Sequence, residues 1–157
     1  MHHKSSLFVV SLLVLLTISA PVNAQGSDAK CEIHVTKPLS GQEVGRETIV
    51  EGTATLPPGH HLWVFARRDS YRSDEVWWLQ SEGIVNPTTG QWKVIAAIGN
   101  QNDIGFEFDI AVGVFAPKEH PVLKAHRSRS LAGDNASLQM PVAACAPVIR
   151  VVKKVSH

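Results

Sequence analysis

The sequence of 157 residues has only two cysteines, two methionines and one tyrosine, and it has no marked excess of charge of either sign. Its 15 basic and 14 acidic side chains give a formal net charge of +1 with histidine neutral. A nearly neutral chain lacks the broad positive field with which nucleic-acid-binding domains attract phosphate backbones. We therefore expect no nucleic acid among the partners of this protein.

The sequence also lacks the motifs that assemble catalytic chemistry. It has no G-x-S-x-G nucleophile elbow, no H-E-x-x-H zinc motif, no glycine-rich phosphate loop and no dinucleotide-binding fingerprint. Sets of serine, histidine and aspartate can be drawn from any chain of this composition, and without geometry they carry no information. We therefore expect no enzymatic activity, no catalytic residue and no cofactor.

Long apolar runs are missing outside the N-terminus, where residues 7–18 are mostly apolar. Lys4 provides a positive start, and Val22 and Ala24 occupy the usual −3 and −1 positions of a signal-peptidase site. A retained membrane anchor is the alternative interpretation. The run is shorter than the roughly 20 apolar residues that cross a bilayer, and Pro21 follows it, so a cleaved signal is favoured.

These features predict a secreted or periplasmic protein. We assign residues 1–24 to a signal peptide, 25–30 to a flexible leader and 31–157 to one domain, which is long enough to bury a hydrophobic core. Loss of Lys4 with the signal leaves equal numbers of basic and acidic side chains. After cleavage we expect no membrane contact.

The two cysteines, Cys31 and Cys145, lie near opposite ends of the predicted domain. An even number of cysteines in an oxidising compartment favours a disulfide. Closing so long a loop stabilises the fold by ~4–5 kcal/mol in the chain-entropy treatment. Two free thiols, or pairing with another chain, are the alternatives. A metal site at the cysteines is disfavoured because no histidine lies at ligand spacing from either.

Short segments in which apolar and polar residues alternate make up most of the domain. They lie at residues 31–36, 47–54, 61–68, 75–80, 92–98, 106–114 and 148–155. Glycine- and proline-rich turns separate them at intervals of roughly 8–15 residues. The pattern predicts an all-β fold, an antiparallel β-sandwich of about seven strands, with one short helix beginning near Pro121 before the last strand.

Two of these segments carry more information than the others. Residues 61–68 are apolar on both faces, which predicts a central strand. In residues 106–114 the apolar side chains, beginning with Phe106 and Phe108, face one way, and Glu107 and Asp109 face the other.

Seven short motifs occur in a characteristic order between Ile33 and Val114. They are Thr36-Lys37-Pro38, Gly41 with Val44, Val50-Glu51-Gly52, Pro58-Gly59 before Leu62-Trp63-Val64, Trp78 with Gln80, Gly90 with Trp92, and Gly105-Phe106-Glu107-Phe108. The series resembles the small immunoglobulin-like modules of bacterial extracytoplasmic and signalling proteins. The resemblance implies an immunoglobulin-like sandwich with a non-enzymatic role, and it implies no particular ligand. The cysteine pair and the single-domain form depart from it.

Aromatic side chains are the first candidates for a binding surface, because flat rings can stack on sugars or on the apolar patch of a partner. Trp77 and Trp78 are adjacent and must point to opposite faces of a strand. The family pattern places Trp78 inward, so we expect Trp77 to point outward and to bind ligand together with Tyr71. Packing of Trp77 under a loop is the alternative.

Basic residues provide the second candidate. Lys118, Lys124, Arg127 and Arg129 cluster in the predicted helix, and we select Lys124 and Arg127 as candidate contacts to an anionic partner. A solvated helix face is the bland interpretation. A further basic group, Arg67, Arg68 and Arg72, is expected to pair locally with acidic residues 69, 74 and 75.

Histidines offer the weakest candidate. His60 and His61 are adjacent at a Pro-Pro-Gly turn, and turn histidines can chelate a transition metal when a third ligand is near. Nothing in the sequence brings His34, His120 or His126 to them, so we expect solvated turn residues and no metal site.

The sequence therefore predicts an exported, non-catalytic module that binds a protein or a cell-envelope polymer, with a glycan among the candidate partners. A carbohydrate-binding module that uses exposed aromatics is the alternative. A secreted enzyme or metalloprotein that uses the histidines is less favoured.

Overall fold

The computed structural model describes residues 30–156 as two β-sheets and one helix. The predicted signal peptide, and the leader before Lys30, lie outside the described residues. The strands are β1 (Glu32–Lys37), β2 (Glu43–Val44), β3 (Glu47–Thr55), β4 (His61–Arg68), β5 (Val76–Gly83), β6 (Gln91–Ala97), β7 (Glu107–Phe115), β8 (Leu138–Gln139) and β9 (Val148–Lys154), and helix α1 (His120–Leu131) follows β7. Among these residues, no helix is both long and apolar enough to span a bilayer.

The strands form a three-stranded sheet, in the order β1-β3-β6, and a six-stranded sheet, in the order β2-β9-β7-β4-β5-β8. The predicted all-β sandwich with one helix before the last strands is confirmed. The pairing of β2 with β9 departs from the antiparallel pattern of the other strand pairs, because these two strands run parallel. Backbone hydrogen bonds from Gly41 to Val151 and from Lys153 to Gln42 hold this two-residue strand, which is too short to show alternation in the sequence.

The inner faces of the two sheets enclose the main hydrophobic core. Alternation along β3 and β6 points Val50, Trp92 and Val94 toward the six-stranded sheet. There they pack in one cluster with Ile110 of β7, and all four side chains are buried. Full burial of such a side chain stabilises the fold by about 1.5–3 kcal/mol. Gly52 lies directly against the backbone carbonyl of His34 on β1, where a Cβ would collide, so the glycine that ends the Val50-Glu51-Gly52 motif is required by packing.

A second apolar cluster covers the outer face of the six-stranded sheet. It contains Trp63, Phe65, Trp77, Leu79, Ala111 and Phe115 from the strands and Leu123 from α1. Strand β4 therefore lies between β7 and β5 and is buried on both faces, as its apolar sequence predicts. The helix begins where expected, with Pro121 in its first turn, and seals the cluster with Leu123.

The predicted disulfide is present between Cys31 and Cys145, whose Cα atoms are 6.1 Å apart. It joins the residue before β1 to the segment before β9, and both half-buried cysteines pack against the main core. The covalent link therefore holds both ends of the described domain to the sandwich.

The start of β7 differs from the prediction. Phe108 and Ile110 are buried in the main core, whereas Phe106 precedes the strand and is 41% exposed. Gly105 has a φ of +92° and turns the chain just before it. The expectation that Phe106 faces inward is wrong for this reason. Its ring lies instead under the guanidinium of Arg68, 4.5 Å from the Cζ atom.

Candidate functional site

Two of the four predicted ligand-binding residues lie in one groove. Tyr71 and Arg127 both line it, although they are far apart in the sequence. Lys124 is exposed on α1 and does not line this groove. Trp77 is 6% exposed and belongs to the outer apolar cluster.

The expected exposure of Trp77 is wrong because α1 covers the face to which this residue points. Alternation in β5 does send Trp77 and Leu79 away from the main core. That face carries Leu123 of α1, and Leu138 and Met140 of the following segment pack beside it. Alternation in the sequence predicts the face of the strand to which a side chain points. It does not predict which other element packs on that face.

The groove is lined by the C-terminal end of β4, by residues after β6 and by Arg127 and Ser130 of α1. It encloses about 580 Å³. This volume is within the range of small-ligand sites. We call it the arginine groove and define it by Arg46, Arg67, Arg68, Tyr71, Trp78 and Arg127.

Four arginines and one aspartate, Asp103, line the arginine groove. Arg68 is neutralised locally, since its guanidinium donates to Asp103 at 2.9 Å. Arg67 binds Asp109, which lies 3.0 Å from its Nε and also binds Arg72. The other two arginines of the groove carry positive charge that no described carboxylate pairs with.

Arg46 and Arg127 make no ion pair and no side-chain hydrogen bond within residues 30–156. Arg127 is half-buried, and burial lowers the pKa of its guanidinium below the ordinary value. An arginine nevertheless stays charged at neutral pH. A partly desolvated charge without a partner is unfavourable, and an anion in the groove would offset that cost.

Aromatic rings form part of the same wall. Tyr71 and Trp78 pack edge to face, with ring centroids 5.1 Å apart, and the guanidinium of Arg68 lies 5.3 Å from the Tyr71 ring. Trp78 pairs with Ala66 and shares its inner face, as expected, but it is only half-buried at the open end of the sandwich. The groove thus offers exposed ring surface beside positive charge.

The arginines at the end of β4 do not pair as the sequence suggests. Arg67 and Arg72 both bind Asp109, and the Arg72 guanidinium lies 2.7 Å from its Oδ1. The expected pairing with acidic residues 69, 74 and 75 is wrong, because the register of β4 and β7 places Asp109 opposite Arg67. Burial alone would raise the pKa of Asp109, but the hydrogen bonds from Arg72 and Arg67 outweigh it and lower the pKa.

A second cluster lies at the other end of β4. His61 Nδ1 donates to Glu82 Oε1 at 2.8 Å, and the ring of His120 stacks on that of His61 with centroids 3.5 Å apart. Burial lowers the pKa of His120, and the charges of His61 and Lys124 add to this effect against the opposing Glu82. The ring of His60 lies apart, within 3.1 Å of the Pro58 carbonyl.

The sequence predicts that His61 is a solvated turn residue, and this prediction is wrong. The residue is half-buried because it lies at the start of β4 on the same face as Trp63. No signal in the sequence points to the cluster, since His120 reaches it only through the packing of α1 on the sheet.

A further depression of about 610 Å³ lies beside β3 and β6. Its lining is mostly threonine, amide and apolar side chains, with one glutamate, Glu51, and one lysine, Lys93. The charges are balanced there, so the arginine groove is the stronger candidate for recognition of a charged ligand. Comparison of the chain with models of protein families and with curated proteins finds no match, and the resemblance to immunoglobulin-like modules stays a prediction.

Proposed function

We propose that this protein is an exported, non-catalytic binding module and that its arginine groove binds an acidic envelope polymer. The observation that carries the proposal is the pair Arg46 and Arg127, which lack an ion-pair partner within residues 30–156 and line one groove. Guanidinium groups bind carboxylate and phosphate through charge-assisted hydrogen bonds. The groove therefore fits a ligand that carries such anions.

The aromatic wall favours an acidic glycan over other anionic polymers. Tyr71 is 36% exposed and Trp78 is half-buried, so both leave ring surface free beside the arginines. Aromatic faces stack on the apolar faces of sugar rings, whereas carboxylates on the sugars would bind the guanidinium groups. An acidic segment of a partner protein would use the arginines without needing the ring faces.

Export is part of the proposal and is supported by the Cys31–Cys145 disulfide. Structural disulfides persist in oxidising compartments and are rare in reducing ones. The groove is lined by strand ends, loop residues and a helix on a covalently closed frame, and a frame of this kind positions side chains for recognition without chemistry.

The test is a calorimetric titration of the purified mature chain with acidic polysaccharides, polygalacturonate and alginate, and with neutral dextran as the comparison. We expect binding to the acidic polymers alone, weakening as salt rises. Arg127→Ala should weaken binding about 10- to 100-fold, since one hydrogen bond to a charged group contributes about 1.5–3 kcal/mol. Lys124→Ala is the matched control, because it removes a positive charge from the same helix outside the groove.

The outcomes separate the alternatives. Binding to polyglutamate but not to acidic glycans would replace the glycan with an acidic protein segment. Loss of affinity in Tyr71→Ala would support ring stacking. Equal affinity for dextran, or equal losses in Arg127→Ala and Lys124→Ala, would contradict the proposal.

A further inference from the structure

We propose that His61, Glu82 and His120 bind a divalent transition metal ion, with Zn²⁺ as the best fit. The three side chains come from three different elements: the start of β4, the end of β5 and the first residue of α1. Their candidate ligand atoms all lie within 4.8 Å of one another. This site is separate from the arginine groove and does not depend on it.

The strand register explains why the three residues meet. Glu82 pairs with Trp63 across β5 and β4, so both side chains share the outer face of the sheet. His61 lies two residues before Trp63 and therefore points to the same face. The ring of His120 lies 5.8 Å from that of Trp63, over the same face. The cluster thus stands on a rigid sheet with an apolar neighbour beside it.

The spacing of the ligand atoms suits tetrahedral coordination. Metal–ligand bonds of about 2.0–2.1 Å at tetrahedral angles separate neighbouring ligand atoms by roughly 3.3–3.4 Å. In the structure, Glu82 Oε1 lies 2.8 Å from His61 Nδ1 and 3.8 Å from His120 Nδ1. These two distances bracket the required value, and the stacked rings of His61 and His120 would have to tilt so that both Nδ1 atoms point at one ion.

One atom of the cluster lacks a hydrogen-bond partner within residues 30–156. The Nδ1 of His120 is buried and makes no hydrogen bond within residues 30–156, and its distance to Glu82 is too long for one. A buried polar atom of this kind is uncommon and calls for an explanation. Coordination of a metal ion through its lone pair would satisfy this nitrogen.

The donor set selects the class of metal. Two imidazole nitrogens and one carboxylate suit Zn²⁺, Cu²⁺, Ni²⁺ or Co²⁺, whereas Mg²⁺ and Ca²⁺ prefer sets made only of oxygen. The carboxylate partly balances the charge of the ion, and the nearby Lys124 is exposed, so solvent screens its repulsion. Three protein ligands leave a fourth position for water or for a donor atom of a ligand.

The experiment is calorimetric titration of tag-free mature protein with ZnCl₂, since a polyhistidine tag would itself bind zinc. We expect one ion per chain, no comparable binding of CaCl₂ or MgCl₂, and at least a tenfold loss of affinity in His120→Ala and in Glu82→Gln. His60→Ala is the matched control, because its imidazole neighbours His61 in sequence but lies outside the cluster. Arg127→Ala should leave zinc affinity unchanged, which keeps this test independent of the groove.

Absence of stoichiometric binding, or equal affinity in wild type and His120→Ala, would overturn the proposal. A loss of affinity in His60→Ala would also overturn it, because zinc would then bind at the turn. A second measurement needs no variant: zinc should shift the imidazole NMR signals of His61 and His120 in the wild-type protein. Shifts confined to other histidines would contradict the assignment.

Discussion

The guanidinium of Arg67 lies over the indole ring of Trp77, 4.2 Å from the ring centroid, while its Nε donates to Asp109. The arginine thus covers the outer apolar cluster on one side and forms a wall of the arginine groove on the other. A cation over an aromatic face contributes about 0.5–2 kcal/mol, depending on how far it is desolvated. The side chain of Arg67 therefore belongs both to the arginine groove and to the cover of the outer apolar cluster.

Trp77 should matter for stability rather than for direct ligand contact. We expect Trp77→Ala to lower the free energy of unfolding by about 3–5 kcal/mol, because it empties a buried site beneath α1. Chemical denaturation followed by fluorescence measures the change. Trp78→Ala is the comparison. Because Trp78 is half-buried, this substitution should lower the free energy of unfolding less than Trp77→Ala does and should weaken binding of acidic polysaccharide more. The reverse order would show that Trp77 is the accessible ring.

Asp109 should make folding stability depend on pH in the acidic range. Its pKa in the fold lies below the ordinary 3.8, so its ionised form stabilises the fold above that value, and the contribution is lost as pH falls through the lowered pKa. Asp109→Asn should therefore cost about 2–3 kcal/mol at pH 7, as a charged hydrogen-bond acceptor is removed. Denaturation curves recorded between pH 2 and pH 7 (roughly the window in which the carboxylate charges) give the free energy of unfolding at each pH. This free energy should depend less on pH for the variant than for wild type.

Glu107→Gln is the control for this measurement. Glu107 lies on the same strand but is largely exposed, and its nearest contact to Arg72 is 3.7 Å. Surface pairs of this kind contribute little, so the pH profile of Glu107→Gln should follow wild type. If Asp109→Asn also followed wild type, the network at Asp109 would not be the source of the acid sensitivity.

The disulfide should account for a large share of the folding stability. Cys31 and Cys145 are 114 residues apart in the sequence. We expect the double variant Cys31→Ser/Cys145→Ser to lose about 4–5 kcal/mol, mainly because its unfolded chain is no longer closed into a loop. Urea denaturation measures this loss, and reduced wild-type protein should unfold at a similar urea concentration. Unchanged stability in the double variant would contradict this account.

The sequence predicts the strands that are long enough for their own residues to show a pattern of alternation or of burial on both faces. β4 and β7 have alternating or doubly apolar patterns over eight or nine residues, and both appear within one residue of the expected bounds. β2 and β8 contain two residues each, which is a single period of alternation and too short to stand out in a sequence. They exist because neighbouring strands supply backbone partners, and no residue pattern records that.

The functional residues divide in the same way. Arg127 could be selected from the sequence because a cluster of basic residues in a helix is visible without any fold. The histidine cluster could not, since His61 and His120 meet only when α1 packs across β4. Alternation in the sequence places Trp77 on the correct face of its strand, but it does not show that α1, from a more distant part of the chain, covers that face.

The bond between Cys31 and Cys145 also determines what a single cut by a protease can release. The exposed turn around Ser73, which follows the groove residue Tyr71, lies between the two cysteines, as do the other loops from β1 to α1. A single backbone cut in any of them yields two pieces that the sulfur–sulfur bond still joins. Because the two pieces stay covalently joined, they could reassociate within the same molecule.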